Sequence, residues 1–159
     1  MVVLSPVVLA HAAAGASAAA ANQVTLQPTG SPGANPILAA VVPNPYGCYG
    51  KSDRPHISGH YPDRVTAQGK TACTVWQPYE FVESYLYRKD CFFFVCWWTQ
   101  VGHDWSSKQS WGAVYAHPNY TCNGTSSHTY RIESYHEVHG SNGRIYTGNT
   151  ASEYDVPCG

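Results

Sequence analysis

Residues Tyr130–Val138 read YRIESYHEV, and their polarity alternates with a period of two. Side chains alternate across a β-strand, so Tyr130, Ile132, Ser134, His136 and Val138 share one face. Arg131, Glu133, Tyr135 and Glu137 share the other. The first set is expected to face a core and the second solvent. Glu80–Arg88 is more ambiguous, because Val82 and Leu86 oppose Phe81, Tyr85 and Tyr87, and this strand is open to cover on both faces.

Outward from this stretch, β-branched and aromatic runs recur between Gly, Pro and Asn punctuation. Candidate strands are His56–His60, Val65–Cys73, Glu80–Arg88, Phe93–Val101, Trp111–His117, Thr129–Val138 and Arg144–Thr147 or Glu153–Val156. Breaks fall at Gln77-Pro78, Gly102-His103-Asp104, Pro118-Asn119, Asn123-Gly124 and Asn142-Gly143. Asn-Gly tolerates positive φ at both central positions of a tight turn, which makes the last of these a hairpin signal. Short strands at such spacing, with no helical stretch among them, predict a two-sheet antiparallel, immunoglobulin-like sandwich.

Charge marks a boundary. The chain has 159 residues, with nine Lys and Arg and ten Asp and Glu, and none of these lies in residues 1–50. Residues 1–21, MVVLSPVVLAHAAAGASAAAA, pair a short apolar stretch with small residues at alternate positions, the pattern of a secretory signal peptide except that no Lys or Arg follows Met1. A retained membrane anchor is the alternative, against which Pro6, His11, Gly15 and the Ala-rich half argue. Residues 22–47 are interrupted by Pro28, Pro32, Pro36, Pro43 and Pro45 and are expected to form an extended linker. Ile37–Val42 is the one part suited to an edge strand. The folded domain is then 48–159. A net charge of −1 and a pI near 6.7 supply no overall electrostatic footprint for nucleic acid or anionic lipid.

Cys48, Cys73, Cys91, Cys96, Cys122 and Cys158 all follow the linker. An even count behind a secretory-looking leader, without a CxxC pair, points to three disulfides rather than to zinc or a free catalytic thiol. Spacing alone does not fix the connectivity. Cys48–Cys73, Cys91–Cys96 and Cys122–Cys158 is the preferred set, since the last pair would pin the C-terminal strand. On the chain-entropy model, closing a long loop contributes on the order of 3–4 kcal/mol.

The segments Lys51-Ser52-Asp53-Arg54-Pro55-His56-Ile57-Ser58, Tyr85-Leu86-Tyr87-Arg88, Gln100-Val101-Gly102 and Thr129-Tyr130-Arg131 carry a likeness across most of 48–159. With the cysteines they resemble an uncharacterised family of small secreted, disulfide-bonded proteins of high-GC Gram-positive bacteria, which share PHxS, LYR, VG and YR elements. The resemblance implies export and a disulfide-bonded β fold, and no activity. The close Cys91/Cys96 pair and the FFFV run between them depart from that pattern.

Three kinds of chemistry were open to these residues. A metal is not expected, because His56 and His60 on an extended strand stand about 13 Å apart, and His136 and His139 point to opposite faces. A small hydrolase, ribonuclease-like in its Glu, His and Arg, would use Glu133, His136 and Arg131, but strand parity separates His136 from Glu133. A binding surface would use Phe92, Phe93, Phe94 and Val95, held outward if Cys91 and Cys96 pair, as a contact for protein, lipid or glycan. The competing fate is a central strand Phe93–Val101 buried on both faces, the commoner end of such runs. Trp105, Trp111, Tyr115, Tyr120 and Tyr135 suit a sugar-stacking platform, although aromatics also serve as core in a domain poor in Ile and Leu. Trp97 and Trp111 are assigned to the core, and Trp105 to a turn.

The sequence therefore predicts an exported monomer without cofactor or stable membrane span. It would act as a non-catalytic binding or structural module for an unknown protein or glycan. The alternatives are a small secreted hydrolase and a carbohydrate-binding module.

Overall fold

The computed structural model describes residues 21–29, 44–122, 124 and 126–158. Residues 1–20 of the expected leader and the Ile37–Val42 stretch lie outside the described residues. The described strands run in chain order as β1 (Gln23–Thr25), β2 (Gln27–Pro28), β3 (Tyr49–Ser52), β4 (His56–Ile57), β5 (Arg64–Thr66) and β6 (Gly69–Phe92). They continue as β7 (Val95–Ala116), β8 (Asn119–Thr121), β9 (Ser127–His139) and β10 (Ile145–Pro157). Every pairing among them is antiparallel.

β9 keeps the expected two faces along its length: Tyr130, Ile132, Ser134, His136 and Val138 are buried, while Arg131, Glu133, Tyr135 and Glu137 are half-buried on the opposite side. β6 resolves the same way, with Val82, Ser84 and Leu86 inward and Phe81, Glu83, Tyr85 and Tyr87 outward. It is thus covered on one face only.

β6 is far longer than the separate strands expected there. Pro78 has no N–H to give the ladder, yet Gln77-Pro78 does not reverse the chain; the register with β7 shifts at Cys73/Gln77 and Gln77/Glu80, and the strand continues through bulges. Gly102-His103-Asp104 is likewise no turn but part of β7, beside a further shift at Leu86/Tyr87. Glycine is required there by a close approach: a Cβ on Gly102 would sit 2.7 Å from the Asn119 carbonyl oxygen of β8. Both candidate strands near the C-terminus belong to the single strand β10. The β9–β10 hairpin forms as expected, but only Gly143 takes positive φ (77°), in a turn closed by Gly143 N–H donating to the Gly140 carbonyl at 2.9 Å.

The bends let β6 serve two partners along one edge. Its start (Gly69–Ala72) pairs with β3, its later part (Tyr79–Arg88) pairs with β9, and β7 runs along its other edge. β3 consequently lies over β9 instead of continuing it. The main sheet follows the order β1-β3-β6-β9-β10-β2. Since β1 and β2 are neighbours in sequence, one pairing with β3 and the other with β10, this sheet is nearly barrel-like. The residues expected to be linker therefore supply two edge strands and a core side chain. Leu26 is fully buried with Cys48, Val138 and Tyr146, a burial that contributes about 1.5–3 kcal/mol.

A second sheet, β4-β5-β8, covers the other end of the inner face. Ile57, Val65 and Tyr120 from it pack with Leu86, Tyr130, Ile132 and Val156. The disulfides are Cys48–Cys73, Cys91–Cys96 and Cys122–Cys158, with no free cysteine among the described residues. They join the entry of β3 to β6, β6 to β7 across the hairpin end, and the exit of β8 to the exit of β10.

Candidate functional site

His136 is the natural first suspect for catalysis, and its surroundings remove it from that role. It is fully buried on the inner face of β9, under Gly50 of β3. Its Nε2 is 2.8 Å from Thr150 Oγ1 and its Nδ1 2.8 Å from Thr71 Oγ1. Hydroxyl contacts of 2.7–2.8 Å continue from Thr150 through Ser52 and Ser134 to Ser84. Burial holds the imidazole down to a pKa of about 4. Glu133 and Arg131, its expected partners, lie on the opposite face and pair with each other, Arg131 Nε to Glu133 Oε1 at 3.1 Å. The structure does not bring the three together. This buried row of hydroxyls around one neutral imidazole satisfies its polar groups and ties β3, β6, β9 and β10 across the core. Among the described residues, no three His, Cys, Asp or Glu side chains are placed to hold a metal ion.

The outer face of the same strands is richer than the sequence revealed. Cross-strand pairing puts Trp105 opposite Glu83, His103 opposite Tyr85, Tyr135 opposite Glu83 and Glu133 opposite Tyr85. Phe81 lies between Trp105 and Tyr135, with ring centroids 6.3 and 6.4 Å away. Tyr85 stacks on His103 at 4.6 Å, and His103 Nε2 stands 2.9 Å from Glu83 Oε1. Hydrogen bonds from His103 and Tyr85 hold the Glu83 carboxyl below its ordinary range. Burial, with a hydrogen bond to Glu137, pushes the Tyr135 phenol up to about 12. A concavity of about 310 Å³ opens beside them, lined by Tyr85, Tyr87, Arg131, Glu133, Tyr135 and Asn149 among others.

Trp105 is 58% exposed in mid-strand of β7, not in a turn. Only Trp105 and Tyr135 of the five expected platform residues are seen to share this face. Tyr120 packs on the core from β8, and Tyr115 is exposed elsewhere on β7. The side chain of Trp111 lies outside the described ones. The sequence did show Phe81, Tyr85 and Tyr87 in alternation, but which strand pairs beside them is a tertiary fact.

The third surface is the end of the β6–β7 hairpin. The candidate strand Phe93–Val101 is corrected here: Phe93 and Phe94 form the two-residue turn, and β7 begins at Val95. Phe92 is 68%, Phe93 83%, Phe94 100% and Val95 66% exposed, so the FFFV run is surface, not core. Trp97, expected inside, is also exposed. Cys91 and Cys96 are direct cross-strand partners just behind the turn, and their bond forces the reversal between them. Phe93 has φ of 54°, a left-handed conformation that glycine takes at no steric cost and that strains a bulky side chain. Behind the tip, Lys89 Nζ lies 5.9 Å from the centroid of Trp98, and Arg131 covers the same ring at 5.6 Å. Asp90 accepts hydrogen bonds from Arg88 Nε and Thr99 Oγ1, both at 2.7 Å, which hold its carboxyl below the usual range. Trp97, Trp98 and Lys89 were not singled out as site residues from the sequence.

No protein-family model, curated protein or solved structure matches the chain, so what these surfaces can do follows from their own chemistry.

Proposed function

We propose that this protein is an exported, non-catalytic binding module whose contact surface is the hairpin tip Phe92–Val95. One observation carries the reading: four consecutive apolar side chains, each at least 66% exposed, are fixed outward on a cross-linked turn. An exposed apolar cluster has a solvation cost unless something covers it in use. The non-catalytic reading is supported by the enclosure of His136 and its separation from Glu133 and Arg131.

Three intramolecular disulfides fit an oxidising, extracellular setting and so support export. Cys48–Cys73 and Cys122–Cys158 also fit the disulfide-bonded β fold of the secreted high-GC Gram-positive family that the LYR and YR segments resemble, whereas Cys91–Cys96 departs from its pattern. An immunoglobulin-like pair of facing sheets belongs to the same proposal; it is supported by β3 and β4-β5-β8 packing onto the inner face of β6, β9 and β10.

The test is co-sedimentation of the full chain with isolated bacterial cell envelopes, which present lipid, peptidoglycan and surface polymers together. The wild type should sediment, and Phe93→Asp/Phe94→Asp should stay in solution with unchanged circular dichroism and melting. Equal sedimentation of both would refute the tip as contact surface, and turnover of RNA or a glycoside by the wild type would refute the non-catalytic reading.

A second reading, glycan binding on the outer sheet face, is favoured by Phe81 bridging Trp105 and Tyr135 beside the concavity. Aromatic faces stack on pyranose rings while Arg131, Glu133 and Asn149 offer hydrogen bonds. Affinity electrophoresis in soluble polysaccharides, comparing wild type with Trp105→Ala and Tyr135→Ala, decides it; the wild type should be retarded and each variant less so.

A further inference from the structure

We infer that the hairpin tip contacts a lipid bilayer, with Phe92, Phe93, Phe94 and Val95 dipping below the headgroups and Trp97 and Trp98 at headgroup level. This rests on the tip being the binding surface and names its partner.

Reach comes first. β9 stops supporting β6 at the Arg88–Tyr130 pair, and the hairpin continues through Lys89–Trp98, Asp90–Trp97, Cys91–Cys96 and Phe92–Val95. At about 3.3 Å per residue these pairs project about 13 Å beyond the supported sheet. An interfacial element needs to bury its apolar part by only about 5–10 Å. The turn can therefore enter while the hairpin's unpaired outer edges stay near water, as a non-spanning contact requires. No described helix is long and apolar enough to cross a membrane.

The chemistry is graded along that projection. Phe93 and Phe94 come first, then the Phe92–Val95 pair, then the disulfide, then Trp97 and Trp98, with Lys89 and Arg131 over Trp98. That order of apolar tip, tryptophan collar and the cation Lys89, with Arg131 paired to Glu133 behind it, is the order in which a membrane changes from acyl chain to headgroup. The one carboxylate in the projecting hairpin, Asp90, is offset by its ion pair with Arg88. Lys89 remains to favour anionic headgroups.

The tip is a poorer match to a protein groove. It is convex, its four side chains carry no hydrogen-bonding group, and the polar side chains nearest along the hairpin, Lys89 and Asp90, stand behind it. The disulfide and the turn fix it before contact, so little ordering cost falls on binding.

The experiment mixes the full chain with unilamellar vesicles of phosphatidylcholine, alone or with phosphatidylglycerol, and reads co-sedimentation and quenching of tryptophan fluorescence by acyl-brominated lipids. Wild type should bind, more tightly with phosphatidylglycerol, and be quenched. Phe93→Ser/Phe94→Ser should lower partitioning by on the order of a hundredfold, and Phe93→Leu/Phe94→Leu should keep it. If the serine variant does not fold, Trp97→Phe/Trp98→Phe replaces it, and binding with quenching lost assigns the depth to those rings. Absence of binding to both vesicles, or a folded serine variant that binds like wild type, overturns the lipid assignment. Quenching retained without Trp97 and Trp98 overturns it too. Wild type that sediments with envelopes but ignores vesicles refutes the lipid partner and leaves the binding-module reading standing; failure in both removes both.

Discussion

His136 donates from Nδ1 to the hydroxyl of Thr71, 2.8 Å away. The proton position follows from Thr71 itself, whose hydroxyl donates to the Phe81 carbonyl at 2.8 Å and has no second proton to give. Nε2 is then the acceptor, facing Thr150, and the ring is neutral. Thr71→Val keeps the shape but leaves a buried N–H without an acceptor. It should cost about 1–3 kcal/mol in urea unfolding, against a smaller loss for Thr71→Ser, which keeps the hydroxyl. Equal losses for the two would show that the hydroxyl is not what matters.

The same burial makes stability depend on pH. Folded His136 titrates at about 4 against an ordinary value of 6.5, so its contribution is complete above pH 6.5 and is lost as pH falls toward 4. That shift amounts to about 3 kcal/mol. Glu80, 2% exposed and with Oε1 unpartnered among the described residues, acts in the opposite sense. Burial raises it from 4.5 to about 7 against the pull of Lys108, so its contribution is complete below pH 4.5 and is lost as pH rises toward 7. Between pH 4.5 and 6.5 the two slopes oppose each other. Glu80→Gln removes one of them; its denaturation midpoint should climb with pH across that window and exceed wild type above neutrality. A variant parallel to wild type at every pH would show that the Glu80 proton is not linked to folding.

The disulfides should differ in worth. Cys91–Cys96 spans a sequence separation of 5 and Cys122–Cys158 one of 36. Loop entropy assigns them about 2 and about 4 kcal/mol. Cys158 is also buried against Tyr130, whose hydroxyl lies 3.1 Å from its sulfur. Paired Cys→Ser variants followed by thermal melting should show the second loss clearly larger than the first. The opposite order would mean that the hairpin end supports the whole fold.

Phe93 holds a left-handed φ of 54° while Phe94 does not. Phe93→Gly should therefore stabilise by up to about 1 kcal/mol, whereas Phe94→Gly, with no strain to relieve, should not. Matching shifts in the two midpoints would contradict the assigned turn. A stabilising Phe93→Gly that also weakens binding would mark Phe93 as kept for contact at the expense of the fold.

Local periodicity made the two faces of β9 legible, because alternation is a property of consecutive residues. The three disulfide pairs matched the preferred set, though spacing did not exclude others. Gln77-Pro78 and Gly102 were misread for one reason: both residue types punctuate chains, and whether they reverse a strand or bulge it depends on the strand alongside. Leu26 looked like linker because its partners, Val138 and Tyr146, are more than a hundred residues away in sequence.

The sequence by itself determined an antiparallel β protein with paired cysteines, low charge and an inward-facing His136, since each follows from composition or a period of two. Tertiary structure alone decided that FFFV is a projecting tip, that Phe81, Trp105 and Tyr135 meet on one face, and that β1 and β2 draw the main sheet toward closure. Those outcomes depend on register between distant strands, and register is set by which faces find burial together.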